Sequence, residues 1–299
     1  MKRVIITGPT GAVGVGLIRN LIKKGIEVIA VVRPGSNRVR NIPKDPLVKV
    51  VPCALGGLEK LPALMDGQVD VFYHLGWDGT FGNARNNMPE QVKNIQYALS
   101  AVEVAHKLGC QKFVGVGSQA EYGRVEGVLK SDTPVQPENG YGMAKLAAGL
   151  MTRQMCFDLG MEHNWVRILS VYGPCDGENT MVMSLMRQLQ QNQRPALTAG
   201  EQIWDYLYAE DAGNALMLVG SKGIDGKTYV LGSGQGRPLK EYIEEIRDEI
   251  NPGAELGFGE VPYGEKQVMY LVADISELTA DTGFEPKVAF RDGIRKILM

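Results

Sequence analysis

Tyr141-Gly142-Met143-Ala144-Lys145 places a phenol and an ammonium at i and i+4, on one face if the segment is helical. A free Tyr titrates at about 10. A cation beside it stabilises the phenolate, which suits the pair to general acid/base chemistry at neutral pH. Ser118 stands in Gly117-Ser118-Gln119-Ala120-Glu121-Tyr122-Gly123, directly after an apolar run. At the C-terminal end of a parallel strand its hydroxyl can hydrogen-bond a substrate carbonyl. In a chain with eleven tyrosines, Y-x-x-x-K by itself reads as a surface helix pair. Ser118 and a nucleotide cradle upstream complete the set that hydride transfer needs.

That cradle is Thr7-Gly8-Pro9-Thr10-Gly11-Ala12-Val13-Gly14, between an apolar strand and a periodic helix. Glycines allow a tight turn and close approach of the backbone to a pyrophosphate, and the helix start supplies N–H donors. The spacing is G-x-x-G-x-x-G rather than the commoner G-x-G-x-x-G. Gly8, Thr10, Gly11, Ala12, Val13 and Gly14 are therefore candidate cofactor residues. The residue ending the second strand meets the adenosine ribose in such a unit, and an acid there accepts from a free 2′-OH. Here it is Arg33, whose fork suits a 2′-phosphate. Arg38 can add a second cation and Ser36 a hydroxyl, so the expected cofactor is NADP(H) before NAD(H). Arg40 reads as a solvated loop residue.

Strands are expected at Arg3–Thr7, Glu27–Val32, Val48–Val51, Val69–His74, Lys112–Val116 and Trp165–Leu169. Helices are expected at Val13–Lys24, Pro89–Leu108 and around Tyr141–Gly160. This alternation predicts an α/β, doubly wound parallel sheet of Rossmann type, covered on both faces. After Gly173-Pro174 the rhythm changes. Met181–Gln191 and Leu239–Ile250 read as helices, Tyr206–Ala209 and Thr228–Gly232 as short strands, and the final stretch as irregular. The expected division is a dinucleotide-binding domain over 1–172, with 203–232 returning to it. A smaller discontinuous substrate lobe would use 173–202 and 233–299.

The chain has 299 residues and a formal charge of −2. That size provides a large core, and the charge gives no reason to expect nucleic acid or an anionic membrane. Cys53, Cys110, Cys156 and Cys175 form no C-x-x-C pair, which suggests a reducing cytoplasm without a zinc or disulfide framework. The first apolar run breaks at Gly8-Pro9 and is not read as a signal peptide. No apolar run approaches the roughly 18 residues of a membrane span. His74, His106 and His163 match no metal spacing and read as bland. Met181, Met183 and Met186 read as core packing beside a substrate lobe.

The chain resembles the extended short-chain dehydrogenase/reductases, the superfamily of nucleotide-sugar epimerases, dehydratases and ketoreductases. The matching segments are TGPTGAVG, HLGW (74–77), GSQAEYG, YGMAK, RILSVYGP (167–174) and WDYLYAEDAGNA (204–215), in family order through almost the whole chain. The resemblance implies Ser118, Tyr141 and Lys145 as the catalytic triad, with Lys145 also on the nicotinamide ribose. It implies Leu75 beside the cofactor and Asn94 as an active-site hydrogen bonder. Asn179 lies where relatives hold the sugar nucleotide. It further implies a homodimer through helices matching 91–108 and 141–159.

Three departures refine this. The Asp-Glu pair of 4,6-dehydratases is Gln119-Ala120 here, so a 4,6-dehydratase is not expected. The adenine-contacting Asp after the third strand is missing from Cys53-Ala54-Leu55-Gly56. The Arg that pairs with the substrate diphosphate is replaced by Trp204, which can stack on a base or sugar instead. The expected function is an NADPH-dependent reductase of a keto-sugar nucleotide, such as a 4-keto-6-deoxy sugar. The alternatives are a nucleotide-sugar epimerase with retained cofactor, a reductase of small non-sugar ketones or aldehydes, and a non-catalytic NADP sensor.

Overall fold

A computed structural model describes residues 1–299. In chain order its first part holds β1 (Arg3–Thr7), α1 (Ala12–Lys23), β2 (Glu27–Val32), β3 (Val48–Pro52), β4 (Val71–His74), α2 (Met88–Lys107), β5 (Lys112–Ser118), β6 (Val128–Leu129) and α3 (Gly140–Asp158). There follow β7 (Glu162–Ile168), β8 (Ser170–Tyr172), α4 (Met181–Gln190), β9 (Ile203–Trp204), β10 (Tyr206–Tyr208), α5 (Ala209–Lys222) and β11 (Thr228–Leu231). The chain ends with β12 (Arg237–Pro238), α6 (Leu239–Ile250), β13 (Tyr270–Ala273), α7 (Ser276–Thr282) and α8 (Phe290–Leu298).

The apolar, β-branched runs of the first half pair into a seven-stranded sheet of order β11-β7-β5-β4-β1-β2-β3, with every pair parallel. Parallel strands need crossovers, and the amphipathic helices supply them on both faces. One face buries Ile6, Leu17, Leu21, Val114, Ala212 and Leu216 in a single cluster. The other buries Phe72, Phe113, Val102, Ala105 and Leu61. Across three neighbouring strands Phe72, Phe113, His163 and Trp165 stack with centroids 5.8 to 6.3 Å apart. His163 is thus a buried structural ring, and its Thr152 partner lies 3.0 Å away.

Helices α1 and α5 cross where Gly16 meets Ala209 and Gly213 meets Gly16, so close that a Cβ at either glycine would strike backbone. Backbone cannot yield as a flexible side chain can, and overpacking costs about 1–3 kcal/mol. Gly213→Ala should lower the urea midpoint accordingly at unchanged m-value. An unchanged midpoint would mean that the crossing relaxes freely.

The end of the chain is more ordered than its composition suggests. Residues 270–298 form β13, α7 and α8. Gly293 hides α8 from a propensity reading, yet the glycine is required there because Tyr172 packs against the position a Cβ would take. β12, β9, β13 and β6 make a second small sheet, and β8 pairs with β10. Strands of two or three residues carry no readable period. Asp205 ties these pieces together. Fully buried, it accepts from Gly234 N at 3.0 Å, Ala273 N at 3.1 Å and Ser233 N at 2.6 Å. No helix is long and apolar enough to cross a membrane.

Candidate active site

The strands of the main sheet end at one edge, where open α/β sheets place their ligand sites. A cleft of about 350 Å³ runs along it, from the glycine turn through Leu75 to Ser118 and Tyr141. A larger cavity, about 450 Å³, lies between Tyr206, Arg237, Tyr242 and Phe290 and reaches neither the glycine turn nor Leu75, Ser118 or Tyr141.

The glycine turn shows two kinds of requirement. Gly8 has φ +68° and would bring a Cβ within 2.7 Å of Gly76 N, and a Cβ on Gly14 would lie 2.6 Å from Gly8 O. Both glycines are demanded by the protein's own packing. Gly11 is not, because a Cβ there would meet nothing within 4 Å. Its missing side chain faces the open cleft, and no side chain caps the start of α1. That combination of open space and free N–H donors fits a dinucleotide pyrophosphate. Ala12 and Val13 line the same cleft, whereas Thr10 lies outside its lining and its carbonyl accepts from Asn41 Nδ2 at 3.0 Å.

The two arginines exchange prominence. Arg33 is exposed and lies outside the cleft lining. Arg38 lines the cleft and donates to Cys175 O at 2.7 Å, bridging to the loop after β8. Ser36 starts the short turn over 37–41, its hydroxyl accepting from Arg38 N at 3.3 Å. The turn swings Arg38, not Arg33, over the opening.

Ser118 ends β5. Its hydroxyl accepts from Ala120 N at 3.2 Å. Tyr141 begins α3, capped by Asn139, whose side-chain oxygen accepts from Gly142 N at 2.9 Å. The Tyr141 ring meets Trp77 edge-on at 6.2 Å, and the Arg85 guanidinium sits 4.5 Å from its centre. Burial pushes the phenol's pKa above its ordinary value, while Ser118 and Arg85 pull it down. The expectation that Lys145 acidifies this phenol is not met. Lys145 is buried, donates to Val116 O at 2.6 Å and lies 3.8 Å over Trp77, against 5.9 Å from the Tyr141 ring. Desolvation lowers its pKa to about 7, opposed by the Glu121 carboxylate. A lysine that has partly lost its charge cannot strongly stabilise a phenolate.

Three other expected residues stand apart. Asn94 is buried, but its amide is spent on the loop after β4, accepting from Asp78 N and donating to Asp78 O, both at 2.9 Å. Asn179 is exposed, and its neighbours Asp176 and Gly177 line the cleft instead. Trp204 is half-buried, donates to Ser170 Oγ at 2.8 Å and packs beside the apolar cluster of α4 and α6, outside the cleft lining.

Sequence reasoning missed Glu121, which is fully buried beneath the site. It accepts from Ser118 N at 2.8 Å, Trp165 Nε1 at 3.0 Å and Arg167 Nε at 2.7 Å. It also missed Trp77, which donates to Gln91 Oε1 at 2.9 Å and gives Lys145 an aromatic face. The one available signal was a Glu in the turn directly after the apolar strand β5, with an Arg inside the apolar strand β7.

A parallel sheet with a glycine turn at its first crossover and Ser, Tyr and Lys gathered at one edge defines a dinucleotide-dependent enzyme class. The description "NAD dependent epimerase/dehydratase family" matches residues 4–232. The chain belongs to that family, whose members are enzymes of the extended short-chain dehydrogenase/reductase type. A CDP-abequose synthase of Salmonella typhimurium is 25% identical over 304 residues, covering 99% of this chain and 97% of that protein. An Escherichia coli dTDP-4-dehydro-6-deoxyglucose reductase is 25% identical over 213 residues, 69% of this chain and 66% of that protein. The structure of UDP-glucuronic acid 4-epimerase from Bacillus cereus in complex with NAD superposes with a TM-score of 0.84 at 19% identity, covering 99% and 96% of the two chains.

Proposed function

We propose that this chain is an NADPH-dependent reductase of a keto-sugar nucleotide. The observation that carries the reading is one continuous cleft joining Gly11, Arg38, Ser118 and Tyr141. Gly8, Gly11, Ala12, Val13 and Gly14 would hold the pyrophosphate, Leu75 would contact the ring end, and Arg38 would take the 2′-phosphate with Arg33 at longer reach. The cofactor supplies hydride to the substrate carbonyl carbon. Ser118 holds the carbonyl oxygen. Tyr141, protonated at neutral pH because burial raises its pKa, delivers its proton to that oxygen. Lys145, anchored on Val116 O, steadies the ribose. Exposed Val92, Leu150, Met151 and Phe157 on α2 and α3 support the expected homodimer.

The epimerase reading uses the same residues, and the fold shared with UDP-glucuronic acid 4-epimerase favours it. Stoichiometric NADPH oxidation by a 4-keto sugar nucleotide supports the reductase, and interconversion without net redox change supports the epimerase. Cofactor choice has its own test. A hydrogen bond to a charged group contributes about 1.5–3 kcal/mol, roughly 10- to 100-fold. Arg38→Ala should weaken NADPH by that factor and leave NADH almost unchanged. Equal binding of both cofactors by the unaltered protein would refute the NADP assignment.

A further inference from the structure

Beyond Tyr141 and Ser118, on the side away from the glycine turn, lies a second cavity of about 320 Å³. The same chain segments line both spaces. Thr80, Phe81 and Ser118 face the cleft, while Gly82, Arg85 and Gln119 face the second cavity. Its charged lining is Arg85, Arg124, Glu138 and Lys266. Arg124 and Glu138 neutralise each other, with Nε 3.0 Å from both carboxylate oxygens. Arg85 and Lys266 have no such partner, so the cavity carries two uncompensated positive charges. The floor adds no acid, because positions 119 and 120 are Gln and Ala. Arg85 is partly buried, its only hydrogen bond a long one of 3.5 Å to Thr80 O, and its guanidinium carbon lies over the Tyr141 ring, 4.5 Å from the centroid. A cation held over a proton donor's ring, with its remaining N–H groups free, is arranged to receive an anion brought in by the substrate.

We infer that Arg85 and Lys266 form a subsite for an anionic oxygen group of the substrate, either a carboxylate on the sugar or its diphosphate. This cavity places positive charge next to the reacting residues. The inference rests on Tyr141 being the reaction centre.

The test uses calorimetry on the protein saturated with NADPH, with UDP-glucose, UDP-glucuronic acid and inorganic pyrophosphate as probes. Arg85→Gln and Lys266→Gln should each weaken the recognised probe at least tenfold, and Arg85→Lys should recover much of that loss. Weakening confined to UDP-glucuronic acid assigns the subsite to a sugar carboxylate. Weakening shared by all three assigns it to the diphosphate. The affected affinity should also fall as salt rises. Wild-type affinity for all three probes in both Gln variants would overturn the inference, as would failure of the NADPH-loaded protein to bind any of them. Failure to bind NADPH itself would instead overturn the cofactor reading. If Arg85→Gln does not fold, the exposed Lys266 carries the test alone.

Discussion

Tyr141→Phe is expected to lower kcat by about 10²- to 10⁴-fold, the usual contribution of a positioned proton donor. NADPH affinity and thermal stability should stay near their original values. The variant removes one oxygen and keeps the ring, so the edge contact with Trp77 and the position of Arg85 over the ring persist. Single-turnover oxidation of bound NADPH measures the chemical step, and a variant retaining a tenth of the rate would dismiss the phenol as donor. The pH behaviour separates Tyr141 from Lys145. The phenol's pKa lies above its ordinary value, so it stays protonated through neutral pH. Lys145 has a folded pKa of about 7, below its ordinary value. Below about 7 both folded and unfolded chains hold this proton, and the cost of the buried charge is fully present. Between about 7 and the ordinary lysine pKa, about 10.4, only the unfolded chain holds it. The unfolded state then binds more protons, and stability rises with pH across that window. Lys145→Met should flatten that rise while abolishing turnover.

The first half of the chain is legible where a crossover is a helix long enough to show its period, as α1, α2 and α3 are. The predicted strand Glu27–Val32 coincides with β2, and the predicted helix Pro89–Leu108 with α2 to within one residue at each end. Three short helical turns, at Asn37–Asn41, Leu55–Leu64 and Gly82–Asn86, went unread. Such segments obey loop contacts rather than an amphipathic pattern. Two of them matter for the site, since the first presents Arg38 and the last presents Arg85. The gathering of Gly11, Ser118 and Tyr141 follows from the topology rule that places sites at carboxyl ends of parallel strands. Roles that depend on what a side chain's partner turns out to be were beyond reach. Asn94 is claimed by Asp78, Trp204 by Ser170, and Glu121 by Arg167 on the neighbouring strand.

Glu121→Ala is expected to destabilise the fold by about 3–5 kcal/mol, the cost of stranding one charge of a buried pair. Arg167 is nearly as buried as its partner, with side-chain exposures of 9% and 0%. Its guanidinium would keep the Tyr122 ring at 4.6 Å and Ser131 O at 3.3 Å but lose its carboxylate. Glu121→Gln should also destabilise. Both carboxylate oxygens accept N–H bonds, and an amide NH₂ facing Trp165, Ser118 N or Arg167 meets only donors. The double variant Glu121→Leu with Arg167→Met removes both charges and should recover much of the loss in urea unfolding. Activity should not follow stability. The carboxylate raises the pKa of Lys145 against desolvation, so without it Lys145 should lose its proton at still lower pH. The double variant should therefore fold well yet shift the alkaline limb of its kcat profile toward acid. A refolded double variant with an unshifted profile would reduce Glu121 to a structural anchor.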